Sequence, residues 1–158
     1  MFKKVLIGLL LLVLVGGGLF LLRLIDEAEK SQKMEMSFMP PEEGQLKACG
    51  EAPNCVSSSS PREGKHFVAP FDSPNQDAWE KLIEKLPDSG LELKLRSGNY
   101  VHLTSTSEIF EFIDDIELFY DTEGRLIQFR SASRVGYSDM GANRARYEQI
   151  RDIFSSIQ

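Results

Sequence analysis

The sequence predicts an α+β domain: a four-stranded antiparallel sheet with a helix before it and a helix after it, preceded by an N-terminal transmembrane helix. Three observations predict this fold. The chain opens with an uninterrupted apolar run, the apolar residues of 78–86 recur at helical spacing, and from Leu91 onward they recur at every second position. The connections between the strands are short, which favours antiparallel pairing because parallel strands need long crossovers.

The N-terminal element is predicted to be a membrane anchor covering residues 1–25. Val5–Leu22 contains no charged residue and is long enough to cross about 30 Å of hydrocarbon. A cleaved signal peptide is the alternative, but the run is longer than such peptides use and lacks a small-x-small cleavage site, so an uncleaved signal anchor is favoured. Lys3 and Lys4 precede the run, which indicates a cytoplasmic N-terminus. The rest of the chain is therefore expected outside the cytoplasm, in the periplasm if the cell is Gram-negative.

Residues 26–48 are predicted to form a flexible tether between the anchor and the domain, which spans 49–158. This stretch shows no apolar periodicity, contains Pro40-Pro41, and is rich in Lys, Glu and Gln. Such a composition has too little apolar surface to order itself.

The two cysteines, Cys49 and Cys55, are predicted to form a structural disulfide, because the anchor places them in an oxidising compartment. A redox-active pair is the alternative, but the Cys-x-x-Cys spacing typical of one is missing. The spacing also matches no zinc pattern, and His66 and His102 lie far apart without supporting neighbours. We therefore expect no metal and no cofactor.

The first helix of the domain is predicted to start at Ser73, a capping residue followed by Pro74, with Gln76 returning a hydrogen bond to the cap. Pro87 and Gly90 end it. Its packed face is predicted to carry Ala78, Trp79, Leu82, Ile83 and Leu86.

The sheet is predicted from alternating patterns separated by turn residues. Leu91, Leu93 and Leu95 mark the first strand, which turns at 97–99 into Tyr100–Thr106. Two further strands, Asp115–Tyr120 and Leu126–Ser133, are separated by a turn at 121–124. His102 is interpreted as an exposed or half-buried strand residue.

The last helix is predicted to be capped by Ser138 or Asp139. Its packed stripe is Met140, Tyr147, Ile150, Phe154 and Ile157. Asn143 falls in phase with this stripe, so a polar amide is expected on the packed face, where it needs specific partners.

The segment from the last strand to this helix carries a family resemblance. Three blocks contribute to it: Pro53–Ser58, Phe112–Asp115, and the run containing Arg130-Ser131-Ala132-Ser133-Arg134, Gly136-Tyr137-Ser138-Asp139, Gly141 and Asn143-Arg144-x-Arg146. Together they resemble the DUF1499 family, a group of small domains of unknown function. The resemblance implies one compact domain, often carried by membrane-associated or exported proteins, and no established reaction.

The same segment supplies the candidate ligand-binding residues: Arg130, Ser131, Ser133, Arg134, Tyr137, Asp139, Asn143 and Arg144. Residues 130–158 hold five arginines and no lysine, which favours bidentate recognition of carboxylate or phosphate, and the helix start adds free N–H groups. The alternative is structural. Arg130 and Arg134 would then pair with Asp114, Asp115 or Asp139 and lock the turn. Asp114 and Asp115 themselves should point to opposite faces of their strand.

The excess of acidic residues limits the kinds of partner that the chain can bind. The chain holds 18 basic and 24 acidic residues, and three of the basic ones lie in the anchor, so nucleic acid is a poor partner for the remainder. The sequence favours a non-catalytic binding or accessory domain for a polar or anionic ligand or an envelope partner, tethered to the membrane. The alternative is a hydrolase acting on a cell-envelope component through the same residues, although no nucleophile and base are paired by the sequence.

Overall fold

The computed structural model describes residues 2–72 and 75–157. It contains α1 (Phe2–Lys33), β1 (Cys55–Ser57), β2 (Phe71–Asp72), α2 (Gln76–Lys85), a 3-10 turn (Pro87–Ser89), β3 (Glu92–Ser97), β4 (Tyr100–Thr106), β5 (Ile113–Asp121), β6 (Leu126–Ser133) and α3 (Ala142–Ser155). The α+β class and the N-terminal apolar helix are as predicted.

The sheet has six strands, two more than predicted, and all its strand pairings are antiparallel. The strand order is β1-β6-β5-β4-β3, and β2 also pairs with β6. The two additional strands are only three and two residues long. Segments this short show no apolar alternation, so sequence periodicity could not find them.

One face of the sheet carries the hydrophobic core and is covered by α2 and α3. Alternate residues of the central strands, with Val101, Leu118 and Phe129 among them, point to this face and are fully buried. The predicted stripe of α2 is buried, as are Tyr147, Ile150 and Phe154 of α3. We call this side of the sheet the core face, and the opposite side the polar face.

Helix α2 begins later than predicted. Asn75 is its N-cap, and the Asn75 side chain accepts a 2.7 Å hydrogen bond from the Ala78 N–H. Ser73 and Pro74, predicted as cap and first helical residue, lie outside the described residues, and the predicted contact of Gln76 with Ser73 lies outside them as well; the Gln76 amide donates to Glu80. The side chain of Asn75 satisfies a free N–H of the first turn as Ser73 was expected to do.

Two predictions for the strands need correction. His102 is buried, because it lies on the polar face beneath other parts of the chain. Strand β3 does not alternate throughout: its pairing with β4 shifts between Leu93 and Leu95, so Leu93 lies opposite Leu103 and Leu95 opposite His102. A bulge adds a residue and turns the following side chain to the other face, which moves Leu95 to the polar face.

Residues 26–48 also differ from the predicted tether. Helix α1 continues to Lys33, and Ala28 and Ser31 in its last turns are buried. The following segment, residues 34–48, lies across the polar face, where Leu46 is buried. We call residues 34–48 the strap. Backbone and ring contacts hold it rather than an apolar repeat, which is why periodicity gave no sign of it.

The predicted disulfide between Cys49 and Cys55 is confirmed. It joins the end of the strap region to β1, since Cys55 is the first residue of that strand. The described part of the chain contains one helix, α1, that is long and apolar enough to cross a membrane. This helix is the candidate membrane anchor.

Candidate functional site

The predicted site begins where β6 ends and the chain turns into α3. Gly136 and Gly141 have φ values of 82° and 89°, and Met140 has a φ of 53°. Glycine adopts this left-handed region without steric cost, so the two glycines allow the chain to reverse within eight residues. The reversal places Met140 outside the helix, where it is 98% exposed, so the prediction that it belongs to the packed stripe is wrong.

Asn143 is the centre of the contacts beneath this turn, and it is fully buried as predicted. Its amide nitrogen donates to the backbone oxygen of Asn54 at 2.8 Å and to Asp139 Oδ2 at 2.8 Å, and it contacts Ser133 Oγ at 3.1 Å. Its amide oxygen accepts from the Ser131 hydroxyl and from Arg146 Nη1. Every hydrogen-bonding position of this amide is therefore used within the protein.

The N-cap of α3 is Gly141, and Asp139 binds the first turn of the helix. Its carboxylate accepts the N–H of Gly141 at 3.0 Å and the N–H of Asn143 at 2.8 Å. Partial burial favours the neutral acid, but these N–H groups outweigh it and hold the pKa of Asp139 below its ordinary value. The prediction that Ser138 or Asp139 is the N-cap is therefore wrong, although Asp139 still binds the first turn; the Ser138 hydroxyl accepts from the Met140 N–H at 3.3 Å.

Two arginines of α3 tie the helix to the rest of the domain. Arg146 donates to Asp114 at 2.9 Å and to the Ser131 hydroxyl at 3.0 Å. Arg144 donates to the backbone oxygens of Lys65 and Phe67 at 2.7 and 3.0 Å. Both guanidinium groups therefore hold the helix against neighbouring segments of the domain.

Asp115 lies on the polar face, on the opposite side of β5 from Asp114, as the strand geometry predicted. Arg134 binds it through two parallel hydrogen bonds of 2.8 Å each, and His102 Nε2 lies 2.9 Å from Asp115 Oδ1. Burial alone would raise the pKa of Asp115, but the hydrogen bonds from His102 and Arg134 hold it below its ordinary value. The hydrogen bonds between Arg134 and Asp115 also raise the pKa of Arg134.

A second ion pair lies beside the first on the polar face. Arg130 Nη1 donates to Glu117 Oε2 at 2.8 Å, and the Tyr100 hydroxyl donates to Glu117 Oε1 at 2.9 Å. Burial, and next the negative charge of Glu117, raise the pKa of Tyr100 far above its ordinary value. The hydroxyl is therefore held as a neutral donor to the carboxylate.

Arg134 also joins the sheet to the N-terminal helix. Its Nη1 lies 3.3 Å from the backbone oxygens of Ser31 and Met34, at the C-terminal end of α1. Carbonyls at a helix C-terminus lack intrahelical partners and carry partial negative charge, so a guanidinium is favoured there. Ser31 strengthens the junction, because its hydroxyl accepts from the Ile113 N–H at 2.9 Å. One side chain of the predicted site thus connects Asp115 to α1.

The strap is held on the polar face by ring and amide contacts. Phe38 stacks on His102 with 3.6 Å between the ring centroids and 15° between the ring planes. Gln128 of β6 donates to the Gly44 oxygen at 2.7 Å and accepts from the Leu46 N–H at 2.8 Å. The Gln128 side chain therefore pairs with the strap much as a neighbouring strand would.

A cleft of about 450 Å³ remains between the strap, the end of α1 and the polar face. Its walls combine polar and apolar side chains: Gln32, Met34, Met36, Phe38, Lys94, Leu95, His102, Thr104, Ile113 and Arg134. Such a mixture suits a ligand with a polar or anionic group and an apolar part. Arg134 is the member of the predicted ligand set that lines this cleft.

The other predicted residues lie elsewhere. Ser131, Ser133, Asp139 and Asn143 form the network under the turn, Arg130 pairs with Glu117, and Tyr137 is exposed. The sequence did not indicate that His102, Glu117 and Arg146 belong to these two ion pairs and to the network around Asn143. Alternation in β4 and β5 could have flagged the first two, since it places His102 and Glu117 on the same face as Tyr100 and Asp115.

The described residues hold no group of three or more His, Cys, Asp or Glu side chains arranged to bind a metal ion. The two histidines are separated. His66 Nδ1 lies 2.9 Å from the Cys55 backbone oxygen, whereas His102 contacts Asp115 on the polar face.

Comparison with known proteins gives one family. A family model described as a protein of unknown function (DUF1499) matches residues 45–154. No curated protein matches the chain. The matched range begins in the strap and ends in α3, so it includes all six strands, both ion pairs of the polar face and the network around Asn143.

Proposed function

The chain belongs to the DUF1499 family, and from that premise we propose that it is a membrane-tethered, non-catalytic domain outside the cytoplasm that binds a polar or anionic ligand. Helix α1 is the tether, and the cleft beneath the strap is the ligand site. The ligand is a small molecule or a polar group presented by an envelope partner.

The cleft is the observation that carries the proposal. Arg134 and Lys94 line it together with His102 and Thr104, so basic and polar side chains come together from two strands and from the start of the turn. Met34, Met36 and Leu95 supply apolar wall on the same cleft. Ligand sites in proteins are concave and use a few polar groups to fix the orientation of the ligand, and the mixed polar and apolar walls of this cleft suit a ligand that has a polar or anionic group.

Location outside the cytoplasm is supported by two separate features. Lys3 and Lys4 precede the apolar run, which favours retention of the N-terminus on the cytoplasmic side. The Cys49–Cys55 disulfide suits an oxidising compartment. Both features point to a domain on the far side of the membrane from the N-terminus.

The non-catalytic role is supported by how the predicted site residues are used. Ser131 donates to Asn143, Asp139 accepts the N–H groups of α3, and Arg130 and Arg134 are paired with carboxylates. These side chains are held by the protein itself rather than presented as a nucleophile and base. Nothing in the contacts of the described residues favours the hydrolase alternative.

Ligand binding is tested by native mass spectrometry of the full chain purified in mild detergent. The wild type is expected to carry a co-purified molecule that is recovered chemically unchanged. The Lys94→Glu variant reverses a charge on the cleft wall and should lose this molecule. Lys81→Glu is the matched control: it makes the same change at a partly exposed lysine on α2, away from the cleft, and should retain the ligand. Equal retention by both variants would contradict the assignment of the cleft.

Membrane attachment is tested separately with the intact chain. The protein should stay with the membrane fraction after alkaline carbonate extraction, and a protease added outside the inner membrane should reach the domain. Release of the full-length chain by carbonate, or protection of the domain on the cytoplasmic side, would contradict the tether or its orientation.

A further inference from the structure

Helix α1 fixes the distance between the apolar run and the sheet. It is continuous from Phe2 to Lys33, and Ser31 is bonded to Ile113, the first residue of β5. At about 1.5 Å of rise per residue, Ser31 lies about 14 Å along the helix axis from Leu22, the end of the apolar run. The end of the sheet at which β5 begins is therefore attached close to the membrane that α1 is proposed to span.

One side of α1 becomes less exposed close to the end of the apolar run. Leu24 is half-buried and Ala28 is buried, whereas the neighbouring Leu22 and Ile25 are 64% and 44% exposed. Leu24, Ala28 and Ser31 are spaced by four and three residues, so they form one stripe of the helix. Leu24, the first residue of this stripe, lies about 3 Å from Leu22 along the helix axis.

Two of the loops at this end of the sheet contact α1. One joins the end of β4 at Thr106 to Ile113, and Gln32 of α1 contacts it through Glu111 at 3.3 Å. The other runs from the end of β6 at Ser133 to α3, and it starts with Arg134, which contacts α1. Both loops therefore lie beside the C-terminal end of the candidate membrane helix.

These loops carry most of the large apolar side chains that the domain exposes. Among the described residues after the strap, four such side chains are exposed, and three of them are Ile109 at 83%, Tyr137 at 76% and Met140 at 98%. The fourth is Leu93. The turns at the other end of the sheet expose Gly98, Thr122 and Glu123 instead. The exposed apolar surface of the domain is thus concentrated at the end attached to α1.

We propose that Ile109, Tyr137 and Met140 rest in the interfacial layer of the bilayer that α1 spans, so that the domain is seated on the membrane in one orientation. This inference rests on the proposed membrane attachment. Tyrosine suits the interface because its ring is apolar and its hydroxyl reaches water, and apolar loop tips gain from leaving water there. Glu108, beside Ile109, is acidic, so attraction to anionic lipids is not the source of binding, and a zwitterionic bilayer should suffice.

The test places an environment-sensitive nitrobenzoxadiazole label on the full chain in phosphatidylcholine nanodiscs. Both native cysteines are in the disulfide, so an introduced cysteine is the free thiol that reacts. The labelled positions are Ile109→Cys and Met140→Cys, and Glu123→Cys at the opposite end of the sheet is the matched control. We expect the labels at 109 and 140 to shift to shorter emission wavelength and to be quenched several-fold more by spin-labelled lipid than the label at 123.

The possible outcomes distinguish the proposed seating of the domain on the membrane from the proposed membrane attachment through α1. If the chain enters the nanodiscs and the labels at 109 and 140 are quenched no more than the label at 123, the seating is wrong while the tether stands. If the chain does not stay with the nanodiscs, the proposed attachment fails, and the seating fails with it. Melting curves of the labelled variants should match the wild type because all three positions are exposed. If one apolar position does unfold the domain, the other decides the result.

Discussion

The two faces of the sheet are built from the same strands but are stabilised by different interactions: apolar packing on the core face and ion pairs on the polar face. On the core face, side chains such as Val101, Ile116 and Phe129 pack beneath α2 and α3 without directional bonds. On the polar face, Asp115 and Glu117 occupy the alternate positions of β5 and are paired with arginines. Burial of apolar area is non-directional, so the core face accepts any well-fitting cover, whereas ion pairs select particular partners.

This difference shows what the family motif does in the structure. Its arginines and Asn143 bind groups that are distant in the chain: Arg134 binds Asp115 and α1, and Asn143 binds Asn54. The core face holds the hydrophobic core, and the polar face fixes how the N-terminal helix and the strap sit on the sheet.

The largest loss of unfolding free energy is expected from a substitution on the core face. Phe129 is fully buried and packs against the rings of Phe71 and Tyr147. Phe129→Ala should lower the free energy of unfolding by about 3–5 kcal/mol, because it removes apolar contacts and leaves a cavity. Chemical denaturation followed by circular dichroism measures the loss. A loss below about 1 kcal/mol would mean that this face is not the main source of stability.

A smaller but still large effect is expected from the polar face. Asp115→Asn removes the charge that compensates Arg134, and the unfolding free energy should fall by about 3 kcal/mol because a largely buried ion pair loses its carboxylate charge. The matched control is Glu80→Gln, which removes the partner of Arg96 in a pair that is about two-fifths exposed. That loss should stay below about 1 kcal/mol. Equal losses would show that the Asp115 pair behaves like a surface pair.

Lowering the pH should weaken the ion pair of Asp115 on the polar face and the contacts of Asp139 at the start of α3. The apolar contacts of the core should stay intact. The pKa values of Asp115 and Asp139 are held below the ordinary value of 3.8. The unfolded chain therefore takes up protons at these groups before the folded chain does, so the stability they supply is full above that value and is lost as pH falls through the lowered pKa values. Melting temperature should drop across this range, and less steeply in Asp115→Asn. Identical slopes would contradict the lowered pKa of Asp115.

The smallest loss of unfolding free energy is expected from a substitution in the strap. Phe38→Ala removes the ring stacked on His102 and should cost about 1 kcal/mol. Met39→Ala changes the next residue, which is 66% exposed, and should leave the unfolding free energy unchanged within error. Chemical denaturation of both variants measures the difference. If Phe38→Ala is as silent as Met39→Ala, the strap is not held by this ring.

The core face could be predicted from the sequence because its signal is periodic. The stripe of α2, the positions of β4 and β6, and the burial of Asn143 all follow from spacing alone. The disulfide was predicted from the expectation of an oxidising compartment, and it is present. Each of these features depends on residues close together in the chain.

The polar face could not be predicted in the same way. Buried His102 and Glu117 break the rule that polar strand positions face water, and the strap covering them has no repeat to detect. The pairing of Arg134 with Asp115 was among the alternatives, but nothing in the sequence chose between Asp114, Asp115 and Asp139. That choice is made by strand register, which sets Asp115 opposite Ala132 and brings Arg134 beside it.

The most direct measurement is hydrogen–deuterium exchange across residues 26–48 of the full chain in nanodiscs. If Arg134, Phe38 and Gln128 hold this segment on the polar face, the amides of residues 28–33 and the Leu46 amide should exchange far more slowly than an unstructured peptide, and Asp115→Asn should speed the exchange of residues 28–33. Exchange of the whole segment at unstructured rates, with the sheet still protected, would contradict the attachment and restore the flexible tether.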